Sequence, residues 1–421
     1  MKPLPLLLVL LGAPLLRAGD LPGLVLPQGV GVNIHFTRGH TRDLDLIRDA
    51  GIRVVRMDFG WASIERERGR YDWSAYDELT ANLAERGLQP YYILDYSNPL
   101  YEEAVVTKNP VTGREQRDTA SPQRPESIAA FASWAAAAAK RYEGRRVIWE
   151  IWNEPNITFW KPKPDVQQYI ALARSTCRAI RAAVPGATIV APATSEVPVP
   201  FLEAFLQSDV TEYLDAISVH PYRSYSKGPE TAGEDYRRVR ELLVRLAPPA
   251  KQNLSLLSGE WGYASHTKGV SLENQAAFAA RMQLVNLFHQ VPVSIWYDWK
   301  NDGPDAAERE HNFGLVTGEL LAKPAYQALQ TLTRELAGFR LECRVDLASD
   351  ADWALLFTDG SPERRMAIWT TGTPHRATIP LRVLRREGVK ALDVRGADVV
   401  FDLQNGQPVL EIDAAPRYLR L

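Results

Sequence analysis

Cysteine is scarce. Cys177 and Cys343 are the two in 421 residues, too few for a disulfide framework or a cysteine-built metal centre. An excess of charge of one sign is also missing. Lys and Arg number 49 against 51 Asp and Glu, a net charge of −2, so there is no basic field to neutralise phosphates and no nucleic-acid partner is expected. Nor is there a polybasic patch for an anionic membrane. The 29 prolines and 27 glycines are scattered, leaving no low-complexity tract and no repeat of solenoid period. The seven histidines show no His-Glu-x-x-His or comparable ligand spacing, and neither a Gly-x-Ser-x-Gly elbow nor a Gly-rich phosphate loop is present. No metal and no organic cofactor is expected.

Long apolar runs are confined to the start. Met1-Lys2 leads into an apolar stretch from Leu4 to Leu16, then Arg17-Ala18-Gly19-Asp20, the charged, hydrophobic and small-residue parts of a secretory signal. Residues 1–18 are therefore read as a signal peptide, with Leu16 an imperfect fit to the cleavage site. The expectation is a secreted or periplasmic monomer that contacts a membrane only if the segment stays uncleaved. No later stretch approaches 18 uninterrupted apolar residues, the length a spanning helix needs.

Residues 19–338 alternate short β-branched runs with amphipathic helical stretches, the pattern of a parallel sheet covered by helices. The predicted strands are Val30 to His35, Arg53 to Phe59, Pro90 to Asp95, Val147 to Trp152, Ala187 to Pro192, Asp215 to His220, Ser255 to Glu260 and Val293 to Trp299. Eight such strands close a (β/α)8 TIM barrel, so the fold class is α/β. Thr41 and Ser74 are expected helix caps, with stops at Gly51 and Gly87. Ala173, Cys177, Ile180 and Val184 share one helix face, placing Cys177 in the core. After Gly338 the runs shorten and are punctuated by Asp359-Gly360 and Asn405-Gly406, which predicts a small C-terminal antiparallel β domain, sandwich-like, over residues 339–421. It reads as a structural cap, with carbohydrate binding the alternative.

In such a barrel the site is built at the carboxyl ends of the strands. The fourth ends in Trp152-Asn153-Glu154-Pro155 and the seventh in Glu260-Trp261-Gly262. Two carboxyls facing each other there can cleave a glycosidic bond, one giving a proton to the leaving oxygen and the other attacking the anomeric carbon. Burial and the negative charge of Glu260 would keep Glu154 protonated until it acts. Taken alone, Asn-Glu-Pro could instead be a turn between strand and helix.

These segments resemble clan A glycoside hydrolases. Within the clan the chain is most similar to family 39, especially bacterial exopolysaccharide endoglycosidases, although families 5 and 39 overlap at this level. The resemblance spans roughly residues 30–337 and includes Gly31-Val32-Asn33, Arg53 to Asp58, Asn156 with Phe159-Trp160-Lys161-Pro162, Val219-His220-Pro221-Tyr222 and His311 to Leu315. It implies that Glu154 is the acid/base, Glu260 the nucleophile and Asn153 the partner of the sugar 2-hydroxyl. Arg56, His220 and Tyr222 are implied to orient and charge-tune the nucleophile. His35 reads equally as a floor residue of the site or as a core histidine.

Five tryptophans, Trp152, Trp160, Trp261, Trp296 and Trp299, fall at or just beyond strand ends, where rings can stack on sugars. Trp299 is the expected platform, with Trp160 and Trp261 extending stacking around the rim. Tyr96, Asn98, Asp298 and Lys300 are candidate polar contacts. The connections Tyr96 to Pro125 and Tyr222 to Glu234 are expected subsite walls. The functional expectation is a retaining β-glycoside hydrolase cutting within an exopolysaccharide or cell-wall glycan. An exo-acting β-xylosidase or β-glucosidase, or a carbohydrate-binding barrel without turnover, is the alternative.

Overall fold

The computed structural model describes residues 21–108, 113–380 and 389–421; the signal expected at 1–18 lies outside them, as does Leu381 of one expected strand. In chain order the first part runs β1 (Val30–Asn33), α1 (Thr41–Asp49), β2 (Val54–Gly60), α2 (Trp61–Ile64), α3 (Ser74–Glu85), β3 (Gln89–Asp95), β4 (Ala104–Lys108), β5 (Glu115–Thr119), α4 (Pro125–Arg141), β6 (Ile148–Ile151), α5 (Val166–Ala183), β7 (Thr188–Ser195), α6 (Val199–Leu206), β8 (Ala216–His220), α7 (Ala232–Leu246), β9 (Ser255–Trp261), α8 (Leu272–Phe288), β10 (Ser294–Trp296) and α9 (Pro324–Glu335). Eight strands close a parallel barrel in the order β1-β10-β9-β8-β7-β6-β3-β2, and they are the eight read from the sequence.

Both faces of these strands are apolar because both are covered. Val54, Tyr91, Ile148, Val190, Ala216, Leu257 and Ile295 point into the barrel, whereas Val55, Tyr92, Trp149, Ile189 and Leu256 pack in the helix-side core. Two residues further along the inward face, Arg56, Glu150 and Ser218 replace the apolar layer, since side chains on one face recur every second residue. Cys177 is fully buried on α5, and burial pushes its thiol up to about 12, in keeping with the core reading.

Two helix starts differ from expectation by a residue. Thr41 and Ser74 are the first helical residues, preceded by His40 and Trp73, and neither end has a side-chain cap bond. Caps form instead where Asp165 accepts from the Gln167 and Gln168 amides, and where Ser271 accepts from Asn274. The connection from Tyr96 to Pro125 is not a bare loop, for it carries the antiparallel pair β4 and β5. Among the described residues no helix is long and apolar enough to cross a membrane.

The antiparallel strands follow as β11 (Arg340–Arg344), β12 (Asp352–Thr358), β13 (Arg364–Thr370), β14 (His375–Thr378), β15 (Lys390–Leu392), β16 (Asp402–Gln404), β17 (Gln407–Ile412) and β18 (Arg417–Arg420). They make a sheet β11-β12-β13-β18-β15 and a second, β14-β17-β16. Strand β12 is buried on both faces. Ala354 and Leu356 meet Met366, Leu410 and Ile412 inside the sandwich, while Trp353, Leu355 and Phe357 join the barrel's own core. A polar joint accompanies this apolar seam: Arg281 of α8 pairs with Glu230 at 2.5 Å and donates to the Ala414 carbonyl, and the Trp369 indole donates to Glu230 at 2.8 Å. The C-terminal domain is antiparallel as expected, and its larger sheet lies against the barrel.

Candidate active site

The floor of the site is organised by one guanidinium. Arg56, 1% exposed on β2, directs Nε to Glu150 at 2.8 Å, Nη1 to Asn33 at 3.1 Å and Glu260 at 2.6 Å, and Nη2 to Asn153 at 2.8 Å and Glu150 at 2.7 Å. Glu150 is fully buried and also accepts from the Tyr91 hydroxyl at 2.5 Å and Ser218 at 2.6 Å. A charge so deep persists only when every lone pair is met. Glu150, Tyr91 and Ser218 were not among the predicted site residues.

Above this floor the chain bends sharply after β6. Trp152 and Glu154 adopt left-handed backbone, φ 69 and 46, uncommon for residues with a Cβ. The Glu154 amide donates to the Ala193 carbonyl at 2.9 Å, and Ala193, itself at φ 53, sits where the β7–β8 register shifts. A bulge on one strand thus fixes the turn on its neighbour. Asn153, between the two left-handed residues, accepts from Arg56 and donates to the Tyr96 hydroxyl at 3.1 Å.

Glu154 and Glu260 are brought together as the sequence predicts. One oxygen of each, with a ring nitrogen of His220, forms a trio whose members all lie within 4.8 Å of one another. Tyr222 donates to Glu260 at 2.8 Å. Burial pushes Glu260 upward, but the charges of His220 and Arg56 and the hydrogen bonds from Tyr222 and Arg56 outweigh it, holding the carboxyl below its ordinary value. Burial, then the charge of Glu260, drives the Tyr222 phenol well above its usual range, so it stays a donor. His220 departs from the expected allocation. Its Nδ1 is 2.9 Å from Glu154, and Nε2 is 3.4 Å from Arg56, so it contacts the predicted acid/base rather than the predicted nucleophile and reaches Glu260 only through its charge.

These groups open into a cavity of about 620 Å³ at the carboxyl ends of the strands, lined also by His35, Asp58, Tyr96, Phe159, Glu196, Tyr297, Arg309 and Glu310. His35 belongs to this wall, not to the core: its side chain is 42% exposed, with Nε2 at 3.6 Å from the buried Asp298. A second hollow of about 300 Å³ adjoins across Tyr96 and Phe159 and is walled by Asp118, Thr119 and Lys161, so the Tyr96–Pro125 connection does supply a wall. Of the Tyr222–Glu234 segment, Tyr222 lines the cavity. Hollows of about 730 and 700 Å³ lie elsewhere, around α3 with α4 and along α7.

The tryptophan expectations are corrected. Trp160 and Trp261 are fully buried and Trp299 is 1% exposed, so none offers a face to a sugar. Trp160 donates to Gln168 at 3.0 Å and Trp299 to Asp43 at 3.0 Å; Trp261 packs near Tyr263. Their rings turned into the barrel–helix core because large apolar surface is most stable away from water. The aromatic rings that line the cavity are Tyr96, Phe159, Tyr222 and Tyr297, with Phe159 stacked on Tyr96 at 5.9 Å. Asn98 is buried against the Glu65 carbonyl and Lys300 pairs with Asp43, so neither is a subsite contact here. Among the described residues, two trios could supply one ligand atom from each member to a metal: His35, Asp298 and Asp302, and Glu154, His220 and Glu260. In the second, the carboxyls already receive Arg56, Tyr222 and His220.

Residues 27–303, more than half of the chain, match the family model described as cellulase (glycosyl hydrolase family 5). A search of curated proteins finds no match. Among solved structures, a family 39 glycoside hydrolase from the gut symbiont Bacteroides cellulosilyticus WH2 superposes with a TM-score of 0.77 at 23% identity, over 96% of this chain and 81% of that one. A family 39 β-xylosidase from Caulobacter crescentus gives 0.68 at 19%, over 96% and 98%. A family 30 endoxylanase from Clostridium papyrosolvens C71 gives 0.65 at 12%, over 96% and 98%. At these identities the superpositions speak for the fold, and it is the family match over the barrel that carries the assignment. The chain belongs to the cellulase family, glycosyl hydrolase family 5, has a clan A fold similar to those of family 39 enzymes, and is an O-glycosyl hydrolase.

Proposed function

We propose that the protein is a retaining β-glycoside hydrolase acting within a polysaccharide chain, with Glu260 as nucleophile and Glu154 as acid/base. The observation that carries this is the spacing. Oxygens of the two carboxyls lie within 4.8 Å of each other, close to the roughly 5–5.5 Å of retaining enzymes and well short of the roughly 6.5–9.5 Å that leaves room for a water in inverting ones. Glu260, kept ionised by Arg56 and Tyr222, attacks the anomeric carbon as Glu154 gives its proton to the departing oxygen. Glu154 then takes a proton from water, whose oxygen displaces Glu260 and regenerates the carboxylate.

Azide tests the allocation. Glu154→Ala should keep activity on substrates whose leaving group needs no proton and yield a β-glycosyl azide. Glu260→Ala should lose all hydrolysis and yield an α-glycosyl azide under rescue. The same product from both variants would overturn the roles.

The endo reading is supported by the continuation of the cleft past Phe159 into the adjoining hollow, a path for more than one sugar unit. An early fall in viscosity with few reducing ends supports it; monosaccharide release at constant viscosity rejects it. The sequence of residues 1–18 supports action outside the cytoplasm, checked by recovering chain shortened by that length from medium or periplasm.

A further inference from the structure

Glu196 lines the catalytic cavity, yet the hydrolytic steps make no use of it. It follows β7 with left-handed backbone, φ 56, which a residue with a Cβ keeps only when its surroundings impose it. Two bonds impose it here. The Glu196 amide donates to the His220 carbonyl at 2.9 Å, and its carbonyl accepts from the Thr194 hydroxyl at 3.0 Å. Its neighbour Ser195 exchanges bonds with Asn156: the Ser195 amide donates to Oδ1 at 2.9 Å, and Nδ2 donates to the Ser195 carbonyl at 3.0 Å. Asn156 lies two residues after Glu154, so the segments carrying Glu154 and Glu196 are locked together beyond the paired strands β6 and β7.

Carboxyls that line the cavity differ in what meets them. Glu154 contacts His220, Glu260 receives Arg56 and Tyr222, and Glu310 pairs with Arg309 at 3.1 Å. The Glu196 side chain is exposed and, among the described residues, meets no hydrogen-bond donor and no cation. A carboxylate fixed in place with its lone pairs free accepts from ligand hydroxyls and repels ligand anions. Its position says which sugar it meets. Asn153 is bonded to Arg56 of β2 and to Tyr96 beyond β3, on one side of Glu154. Glu196 lies beyond β7, on the other side in the barrel order β2-β3-β6-β7. An acid/base stands at the bond it cleaves, so the sugar held at Asn153 and the sugar that departs fall on opposite sides of it.

We propose that Glu196 is a specificity-determining residue of the leaving-group subsite, selecting a neutral, hydroxyl-bearing sugar there against an acidic one; the proposal rests on the glycosidase reading above. The same subsite receives the acceptor when a sugar hydroxyl, instead of water, intercepts the glycosyl-enzyme. The acceptor oxygen bonds to the anomeric carbon, the bond to Glu260 breaks to give its carboxylate, and the hydroxyl proton passes to Glu154. In the test, 4-nitrophenyl β-cellobioside and β-xylobioside supply the glycosyl group. Equal concentrations of methyl β-glucoside and methyl β-glucuronide, which differ at carbon 6, compete for it. Product chromatography should show the glucoside glycosylated at least about tenfold more than the glucuronide. Glu196→Gln should cut that ratio at least about fivefold. Glu196→Ala should lower transfer to the glucoside relative to hydrolysis about tenfold, the worth of a hydrogen bond to a charged acceptor. Each ratio compares fates of one glycosyl-enzyme, so partial misfolding of a variant or a changed proton affinity at Glu154 leaves it unmoved. An unaltered ratio in Glu196→Gln, equal transfer to both acceptors, or hydrolysis without transfer overturns the proposal alone. Release of nitrophenol from neither donor, with neither azide product, overturns the glycosidase reading and the proposal with it.

Discussion

Glu150 offers the sharpest test of how the site is held. Its two oxygens receive Arg56 Nε and Nη2, the Tyr91 hydroxyl and the Ser218 hydroxyl, all between 2.5 and 2.8 Å, and none of the four donors has water in reach at these burials. Glu150→Gln keeps the volume, removes the charge and turns an –NH2 toward at least one of those donors. Breaking a buried ion pair from one side costs about 3–5 kcal/mol, and the amide recovers part of the hydrogen bonding, so a loss of about 3 kcal/mol is expected, read as a lowered urea midpoint. The second readout is electrostatic. Glu260 is held low chiefly against burial by His220 and Arg56; with Glu150 neutral, the Arg56 charge is shared with one carboxylate fewer. The Glu260 carboxylate is then favoured further, and the acid limb of kcat/KM moves to lower pH while kcat falls. An unchanged midpoint, or an acid limb displaced upward, would refute the view that Arg56 couples these two carboxyls.

Other outcomes follow from the same geometry. Trp299→Phe should cost about 1–3 kcal/mol by removing one hydrogen bond to the Asp43 carboxylate, which keeps Lys300 and His40, with KM unmoved because the ring is buried; a large KM effect in steady-state kinetics would restore it as a platform. Phe159→Ala should raise KM for polymer about two- to tenfold, the worth of one aromatic contact, and leave small aryl glycosides unaffected. Asp298, pushed up to about 7 mainly by burial, binds a proton in the folded state that the unfolded chain releases near 4. Stability therefore falls as pH rises between those values, and Asp298→Asn should gain on the wild type by up to about 4 kcal/mol between pH 4 and pH 8 in urea titrations. Glu230→Ala should cost about 3–5 kcal/mol by stranding Arg281 and the Trp369 indole, checked by thermal melts.

The strands were legible because a barrel stave is apolar on both faces, so the runs stand out against polar connections. Glu154 and Glu260 were legible because polar residues at stave ends need a reason. Glu150 was hidden in Val147 to Trp152, a run that scans as apolar; counting by twos from the inward Ile148 would have found it. The same count fails one step later. It would place Trp152 beside the two glutamates, but the left-handed turn at Trp152 and Glu154 resets the parity, and Trp152 packs against Trp160 and Phe131 and borders only the adjoining hollow. Phe159, Glu196 and Arg309 come from loops and Glu310 opens a three-residue 3-10 turn, none of which has a period to read. A tryptophan's place beyond a strand says nothing about which side its ring takes, and here the core outcompeted the cleft.

The last strand has a consequence for how the molecule comes into being. β18 lies between β13 and β15 rather than at an edge, and Tyr418 of that strand is packed in the barrel's core. A ribosome must therefore deliver residues 417–420 before β13 and β15 can be joined, so the surface over α8 and α9 waits for those residues. Losing Arg417–Leu421 would remove an interior stave of the sheet along with the Arg420–Glu335 pair that reaches α9. A nonsense codon before residue 417 would thus act on the hydrolase as a whole, because it would leave β13 and β15 with no strand between them.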